Sequence, residues 1–192
     1  MRIGILGSGS GSNLQAIIDA IEAGTLDATL ALVLSDVPDA FILERARRHG
    51  IPTGVIDCHG FKTKFPLESQ FQTAADLKSA DCDLICLAGF MRLVKDPLLK
   101  AFPQSILNIH PSLLPAFPGI AAWRQALDAG VSETGCTVHH VDAGMDTGPI
   151  LLQAKVPILA DDTAESLHAR IQVEEHRLYP EAIRLLLKQR VH

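Results

Sequence analysis

The sequence predicts an α/β fold in which a mainly parallel sheet carries helices on both faces and a C-terminal α/β extension follows. Three observations point to it. Short apolar runs of strand type alternate with segments of helical period through the first part of the chain. A glycine-rich loop at residues 7–13 joins the first strand to the first helix, and after Gly119 the pattern changes to a helix, two successive strand-like runs and one long helix. Strands buried on both faces read as short continuous apolar runs, and helices between them cover a parallel sheet.

In order, residues 2–7 form the first predicted strand and 13–23 the first helix, and 29–35 with 40–49 repeat the pair. The chain thus opens as a βαβα unit. A strand at 54–57, a helix at 67–79 and strands at 83–88 and 105–109 follow, with a short helix at 97–101. The extension comprises a helix at 121–129, strands at 135–141 and 150–156, and a long helix at 163–189. The architecture is Rossmann-like. Loops at 8–12, 89–94 and 110–119 fall at the carboxyl ends of strands, where open α/β sheets bind ligands.

The 192 residues suit one domain with an ample core, and nothing rich in Pro, Gly or Ser divides them. With 47% hydrophobic and 20% charged residues the composition is that of a soluble globular protein, and no apolar run approaches the roughly 18 residues of a membrane span. The N-terminal apolar segment passes straight into a glycine loop, unlike a signal peptide. Cys58, Cys82, Cys86 and Cys136 form no C-x-x-C pair, so the expectation is a reduced, cytoplasmic protein. A net charge of −5 argues against general nucleic-acid binding and leaves room for a local cationic pocket; no nucleic-acid or membrane partner is expected.

The densest chemistry lies at residues 106–119, where a strand delivers Asn108 and His110 into a loop stiffened by Pro111, Pro115 and Pro118. Residues two apart on a strand share a face, so a donor amide and an imidazole converge. Such a pair suits a reaction that builds negative charge on a carbonyl oxygen. The same spacing fits a strand end with two solvated polar residues. A second segment, 135–148, places Thr137 and His139 on one strand face and presents Asp146 from a glycine-rich turn. A carboxylate near His110 favours imidazolium and can relay a proton.

The loop Gly7-Ser-Gly-Ser-Gly-Ser-Asn13 offers close backbone approach and helix N-terminal donors to a phosphate. It departs from the dinucleotide fingerprint, because Ser12 stands where that pattern needs its third glycine. A single phosphate on a smaller ligand fits better, with Lys62 or Lys64 as a source of positive charge or simply as solvated loop residues. A metal site from His110, His139 and Asp146 lacks a supporting H-x-x-x-H or cysteine pair. The Gly-x-Ser-x-Gly match at residues 7–11 lacks the ordered acid and base partners of a serine hydrolase.

Five ordered segments together resemble the phosphoribosylglycinamide formyltransferases, the folate-dependent enzymes of purine synthesis. They are Gly-Ser-Gly-Ser-Asn-Leu-Gln-Ala-Ile at 9–17, Asp-Ala-Phe at 39–41, Leu-Ala-Gly-Phe-Met-Arg at 87–92, Leu-Asn-Ile-His-Pro-Ser-Leu-Leu-Pro at 107–115, and Met-Asp-Thr-Gly-Pro-Ile at 145–150. The resemblance runs over nearly the whole chain. It implies formyl transfer from 10-formyltetrahydrofolate, a co-substrate, to the amine of glycinamide ribonucleotide, without metal or nicotinamide. By it, Asn108, His110 and Asp146 take the catalytic positions, and Thr137 stands where a Ser or Thr helps order a water. The ribonucleotide would meet Gly11, Ser12, Asn13, Lys64, Gln172 and Glu175, with Glu175 at the ribose hydroxyls. The folate would dock near Met91, Arg92, Leu93, Val94, Asn108, Val141 and Ala143.

The same resemblance implies one formyltransferase domain over 1–192, a nucleotide-phosphate half at 1–109 and a catalytic, folate-binding extension at 110–192. A monomer or weak homodimer is expected, and Leu114-Pro115 is a candidate cis bond. Ala121 and Trp123 depart from the pattern, standing where some relatives carry polar or His residues. A tRNA-directed formyltransferase is expected to add a C-terminal RNA-binding domain, and a formyltetrahydrofolate hydrolase an N-terminal regulatory one. A non-catalytic nucleotide-binding module would explain the glycine loop but not Asn108, His110 and Asp146.

Overall fold

The computed structural model describes residues 1–190. In chain order the elements are β1 (Arg2–Leu6), α1 (Ser12–Glu22), β2 (Thr29–Ser35), α2 (Phe41–Arg48), β3 (Thr53–Val55), α3 (Leu67–Ser79), β4 (Leu84–Leu87), α4 (Asp96–Ala101), β5 (Ile106–His110), α5 (Ala122–Asp128), β6 (Glu133–His140), β7 (Ile150–Pro157) and α6 (Ala164–Arg190). One seven-stranded sheet runs β3-β2-β1-β4-β5-β6-β7. β1 to β5 pair in parallel, whereas β5–β6 and β6–β7 are antiparallel. The predicted mainly parallel sheet with an α/β extension is thus the observed one.

Strand alternation sorts the core into two layers. Ile3, Ile5, Leu84, Cys86, Leu107 and Ile109 face α1, α2 and α6, burying Leu14, Ile17, Ile42, Leu43, Ile171 and Ile183. Leu6, Ile85, Leu87 and Ile106 face the other way, against Ala74 and Leu77 of α3 and Leu98 of α4. α6 is pinned to the sheet by Tyr179, fully buried, whose hydroxyl is directed at the Leu87 carbonyl (3.0 Å) and the Leu107 carbonyl (3.2 Å). That contact fixes the helix face carrying His168, Gln172 and Glu175, which recur at helical spacing above it. Pro180 is accommodated inside α6, where it removes one intrahelical donor.

Predicted boundaries shift by one or two residues, for local reasons. β3 stops at Val55 because Asp57 turns the chain, its carboxylate accepting the His59 N–H at 2.7 Å. α6 starts after Thr163, whose hydroxyl accepts the Ser166 N–H (3.1 Å) while the Ser166 hydroxyl accepts the Thr163 N–H (2.9 Å), a reciprocal cap. β5 extends to His110 because that residue pairs with Thr137 across the antiparallel ladder. Strand order reverses direction between β1 and β4, so a crevice opens at their carboxyl ends.

Candidate active site

A cavity of about 530 Å³ occupies that crevice. Its floor is the end of β5 and β6, where Asn108 faces His139 and His110 faces Thr137 in register. The register of β6 against β7 shifts between Val138 and His139, an irregularity that re-aims the strand beside the cavity. The segment after β6 then folds over it. Asp142 builds this turn, its carboxylate accepting the Gly144 N–H (3.0 Å) and the Thr147 hydroxyl (2.7 Å). Asp146 is thereby presented in a left-handed conformation, φ 56°.

The Asp146 carboxylate is the hub. Its Oδ2 accepts the Gly119 N–H at 2.9 Å and lies 3.4 Å from His110 Nδ1. Its Oδ1 lies 3.4 Å from Asn108 Nδ2 and 3.7 Å from His139 Nε2. Burial opposes ionisation of Asp146, but the His139 side chain, the Gly119 N–H and the His110 charge outweigh it and hold the carboxyl below its ordinary value. His110 Nε2 donates to the Phe117 carbonyl at 2.9 Å, so with Nδ1 toward a carboxylate both ring nitrogens face acceptors. His139 Nδ1 lies 2.9 Å from its neighbour's carbonyl, and its Nε2 lies 3.2 Å from Asn108 Nδ2, beside the Asp146 carboxylate.

The opposite end of the cavity belongs to the glycine loop and α6. Gly11 has φ 73°, and a Cβ there would come within 2.9 Å of the Ile42 backbone, so only glycine lets the loop turn into α1. The first turn of α1 then presents backbone N–H groups to the cavity. Asn13 Nδ2 donates to Glu175 Oε2 at 3.1 Å, while Asn13 Oδ1 is buried without a protein partner. Burial pushes the Glu175 carboxyl up to about 7, the Asn13 hydrogen bond only partly opposing it. Gln172 lines the same wall.

Arg92 holds the third wall. Its guanidinium pairs with Asp36 at 2.5 Å, both side chains buried, and donates to the carbonyls of Phe61 (2.8 Å) and Lys64 (2.5 Å). Asp36 also accepts the Ser8 hydroxyl at 2.6 Å, and Ser8 Oγ accepts the Met91 N–H at 3.0 Å. Four loops meet there. Apolar Leu87, Phe90, Met91, Leu93, Val94 and Val141 complete this side.

Of the residues singled out in the sequence, Asn108, His110, Asp146, Gly11, Ser12, Asn13, Gln172, Glu175, Met91, Arg92, Leu93, Val94 and Val141 line this one cavity. Three do not. Thr137 is fully buried, donating to the Ser112 carbonyl (2.6 Å) and accepting from the Leu114 N–H (3.1 Å) and Gln153 (2.9 Å), so its hydroxyl secures the proline loop. Lys64 turns its ammonium over the Phe61 ring, 5.0 Å from the centroid, and meets the site only through its carbonyl. Ala143 offers its carbonyl to Lys95 Nζ at 3.2 Å. Ser8 and Asp36 were missed as supports, since their partners lie 28 to 83 positions away. His139 was weighed only as a metal ligand; its alternation with Thr137 was the available signal. Among the described residues no group of three or more His, Cys, Asp or Glu could hold a metal ion.

The formyl transferase family model matches residues 1–183. The chain belongs to this family. This formyl transferase is 44% identical over 186 residues to phosphoribosylglycinamide formyltransferase of Bacillus subtilis, covering 97% of this chain and 94% of that one. It is 46% identical over 188 residues to the trifunctional purine biosynthetic protein adenosine-3 of Drosophila melanogaster, covering 97% of this chain but only 14% of that much longer protein. In three dimensions it matches glycinamide ribonucleotide transformylase 1 of Symbiobacterium toebii with a TM-score of 0.94 at 54% identity, over 99% of this chain and 89% of the other. Leu114-Pro115 is cis here, as the family resemblance implied.

Proposed function

We propose that this formyl transferase moves the formyl group of 10-formyltetrahydrofolate to the amine of glycinamide ribonucleotide, giving formylglycinamide ribonucleotide and tetrahydrofolate for purine synthesis. The observation that carries the reading is the convergence of Asn108, His110 and Asp146 in one cavity with the glycine loop and Glu175. Relatives named for this reaction match along their length, which supports it.

In this reading the ribonucleotide phosphate sits on the N–H groups of Gly11, Ser12 and Asn13, with Gln172 beside it and Glu175 accepting from the ribose hydroxyls. The folate ring system packs on the apolar wall of Met91 to Val94 and Val141, with backbone groups reading its polar edge. The neutral amine attacks the formyl carbon, and the carbonyl oxygen gains charge. Asn108 Nδ2 and the His110 ring stabilise that oxyanion. The nitrogen–carbon bond to N10 then breaks, while the proton lost by the amine passes through Asp146 and water to N10. The chain works as a single domain, as a cytoplasmic monomer or weak dimer, with both substrates meeting residues from either side of position 109. No helix among the described residues is long and apolar enough to cross a membrane.

The test is to incubate purified protein with both substrates and quantify formylated ribonucleotide beside a control lacking the acceptor. Product that depends on the acceptor is the expected result. Deformylation of the folate in the control at the same rate would replace the transferase reading with hydrolysis.

A further inference from the structure

Trp123 and His168 are stacked, ring centroids 3.7 Å apart and planes within 4°, and both line the cavity. Trp123 lies on α5 and His168 on α6, on the face that carries Gln172 and Glu175. Burial lowers the His168 imidazole from its ordinary value, so two neutral aromatic rings meet at neutral pH. The neighbouring link between the helices, Arg124 to Glu165 at 3.7 Å, is exposed at both ends and contributes little.

α5 in turn holds the loop that reaches Asp146. Gln125 donates to the carbonyls of Pro118 (3.1 Å) and Ile120 (2.9 Å), on either side of Gly119, whose N–H binds the Asp146 carboxylate. Upstream, the Ala116 and Phe117 carbonyls are held by Ser112 Oγ (2.6 Å) and His110 Nε2 (2.9 Å), whereas those of Pro118 and Ile120 are held from α5 by Gln125. Phe117 and Ala121 both carry left-handed φ, 54° and 52°, and Ile120 is 88% exposed. A continuous mechanical path therefore runs from α6 through the stack and Gln125 to Gly119.

We propose that the Trp123–His168 stack is a positioning clamp: it locks α5 to α6 and so keeps the Gly119 N–H on Asp146 at a fixed distance from the wall bearing Gln172 and Glu175. Neither ring touches the reacting atoms in this role. The clamp rests on the catalytic reading above only for its effect on turnover. Its effect on the loop stands without it.

The test uses the full chain as Trp123→Ala, His168→Ala, Gln125→Ala, Trp123→Phe and His168→Phe variants. Amide hydrogen exchange in peptides spanning 116–121 is compared with that in β1. An aromatic pair stabilises by about 0.5–1.5 kcal/mol beyond burial, so both stack-breaking alanine variants should exchange about two- to tenfold faster in the loop while β1 stays protected. Gln125→Ala, which leaves the rings in place, should do the same. The phenylalanine variants, which keep a ring at each position, should restore protection. In turnover assays the alanine variants should lose kcat by a similar factor with KM for the folate unchanged, because Asp146 and not the folate wall is displaced. Unchanged loop exchange in folded alanine variants, or phenylalanine variants as unprotected as alanine ones, would overturn the clamp. Exchange needs no substrate, so a wild-type protein lacking acceptor-dependent activity would count against the function alone.

Discussion

Replacing Glu175 by Gln should make the protein more stable at alkaline pH and leave it unchanged in acid. The Glu175 carboxyl is buried on α6, its Oε2 accepting one hydrogen bond from Asn13, and its pKa rises from 4.5 to about 7. A raised carboxyl pKa means that the folded state holds a proton the unfolded state has released. The stability associated with the neutral carboxyl is therefore complete below about 4.5 and is lost progressively as pH climbs through about 7. Above that window the whole difference appears, at most about 3 kcal/mol. Gln is isosteric, stays neutral and can still accept from Asn13. Relative to wild type it should therefore gain nothing at pH near 4 and up to about 3 kcal/mol at pH near 8, or about 6–12 °C in Tm for a chain of this size. Urea or thermal unfolding of both proteins across that range decides it. A gain of the same size at every pH would show that packing, not the buried charge, caused it. The same titration should appear in binding: if ribose hydroxyls donate to the ionised carboxylate, as proposed, wild-type affinity for the ribonucleotide should weaken by up to about tenfold per pH unit below 7, and the Gln variant should lose that slope.

Asn108→Ala should fold normally and lose about 10²–10³ in kcat, the cost of removing the proposed oxyanion donor; turnover within a few-fold of wild type would exclude that donor role. Asp146 is held below its ordinary pKa despite burial, by His139, the Gly119 N–H and His110, so its carboxylate persists as pH falls until that depressed value is passed. Asp146→Asn should lower kcat and remove the acid limb belonging to this group, and a profile merely scaled down from wild type would argue for a passive role. Arg92→Ala strands the Asp36 carboxylate, buried to about 5% exposure, and should cost about 3–5 kcal/mol of stability in denaturant melts. A loss below about 1 kcal/mol would mean that water or Ser8 satisfies Asp36 instead.

What the sequence disclosed and what it hid follow from the range over which each feature is encoded. The strand that carries Asn108 and His110 is local: strand geometry alone puts residues two apart on one face, and the structure keeps both on it. The glycine loop is local too, because Gly11 is demanded by its own φ and by Ile42 pressing on it. Thr137 shows the limit of that logic. Its alternation with His139 puts it on the cavity face, yet the proline loop crosses above it and takes its hydroxyl for the Ser112 carbonyl and the Leu114 N–H. Period-two patterning gives a side; it does not say which other segment covers that side. Lys64 is similar, because loop charge carries no direction until Arg92 draws its carbonyl inward and the Phe61 ring takes the ammonium. The supports legible only in three dimensions, Ser8 with Asp36 and Arg92, Gln125 with the 118–120 carbonyls, and Trp123 on His168, each join segments by contacts that no spacing rule relates. The groups of a proposed reaction were thus readable from short stretches, whereas the contacts that hold those groups at working distance arise only where the sheet, the loops and α6 meet.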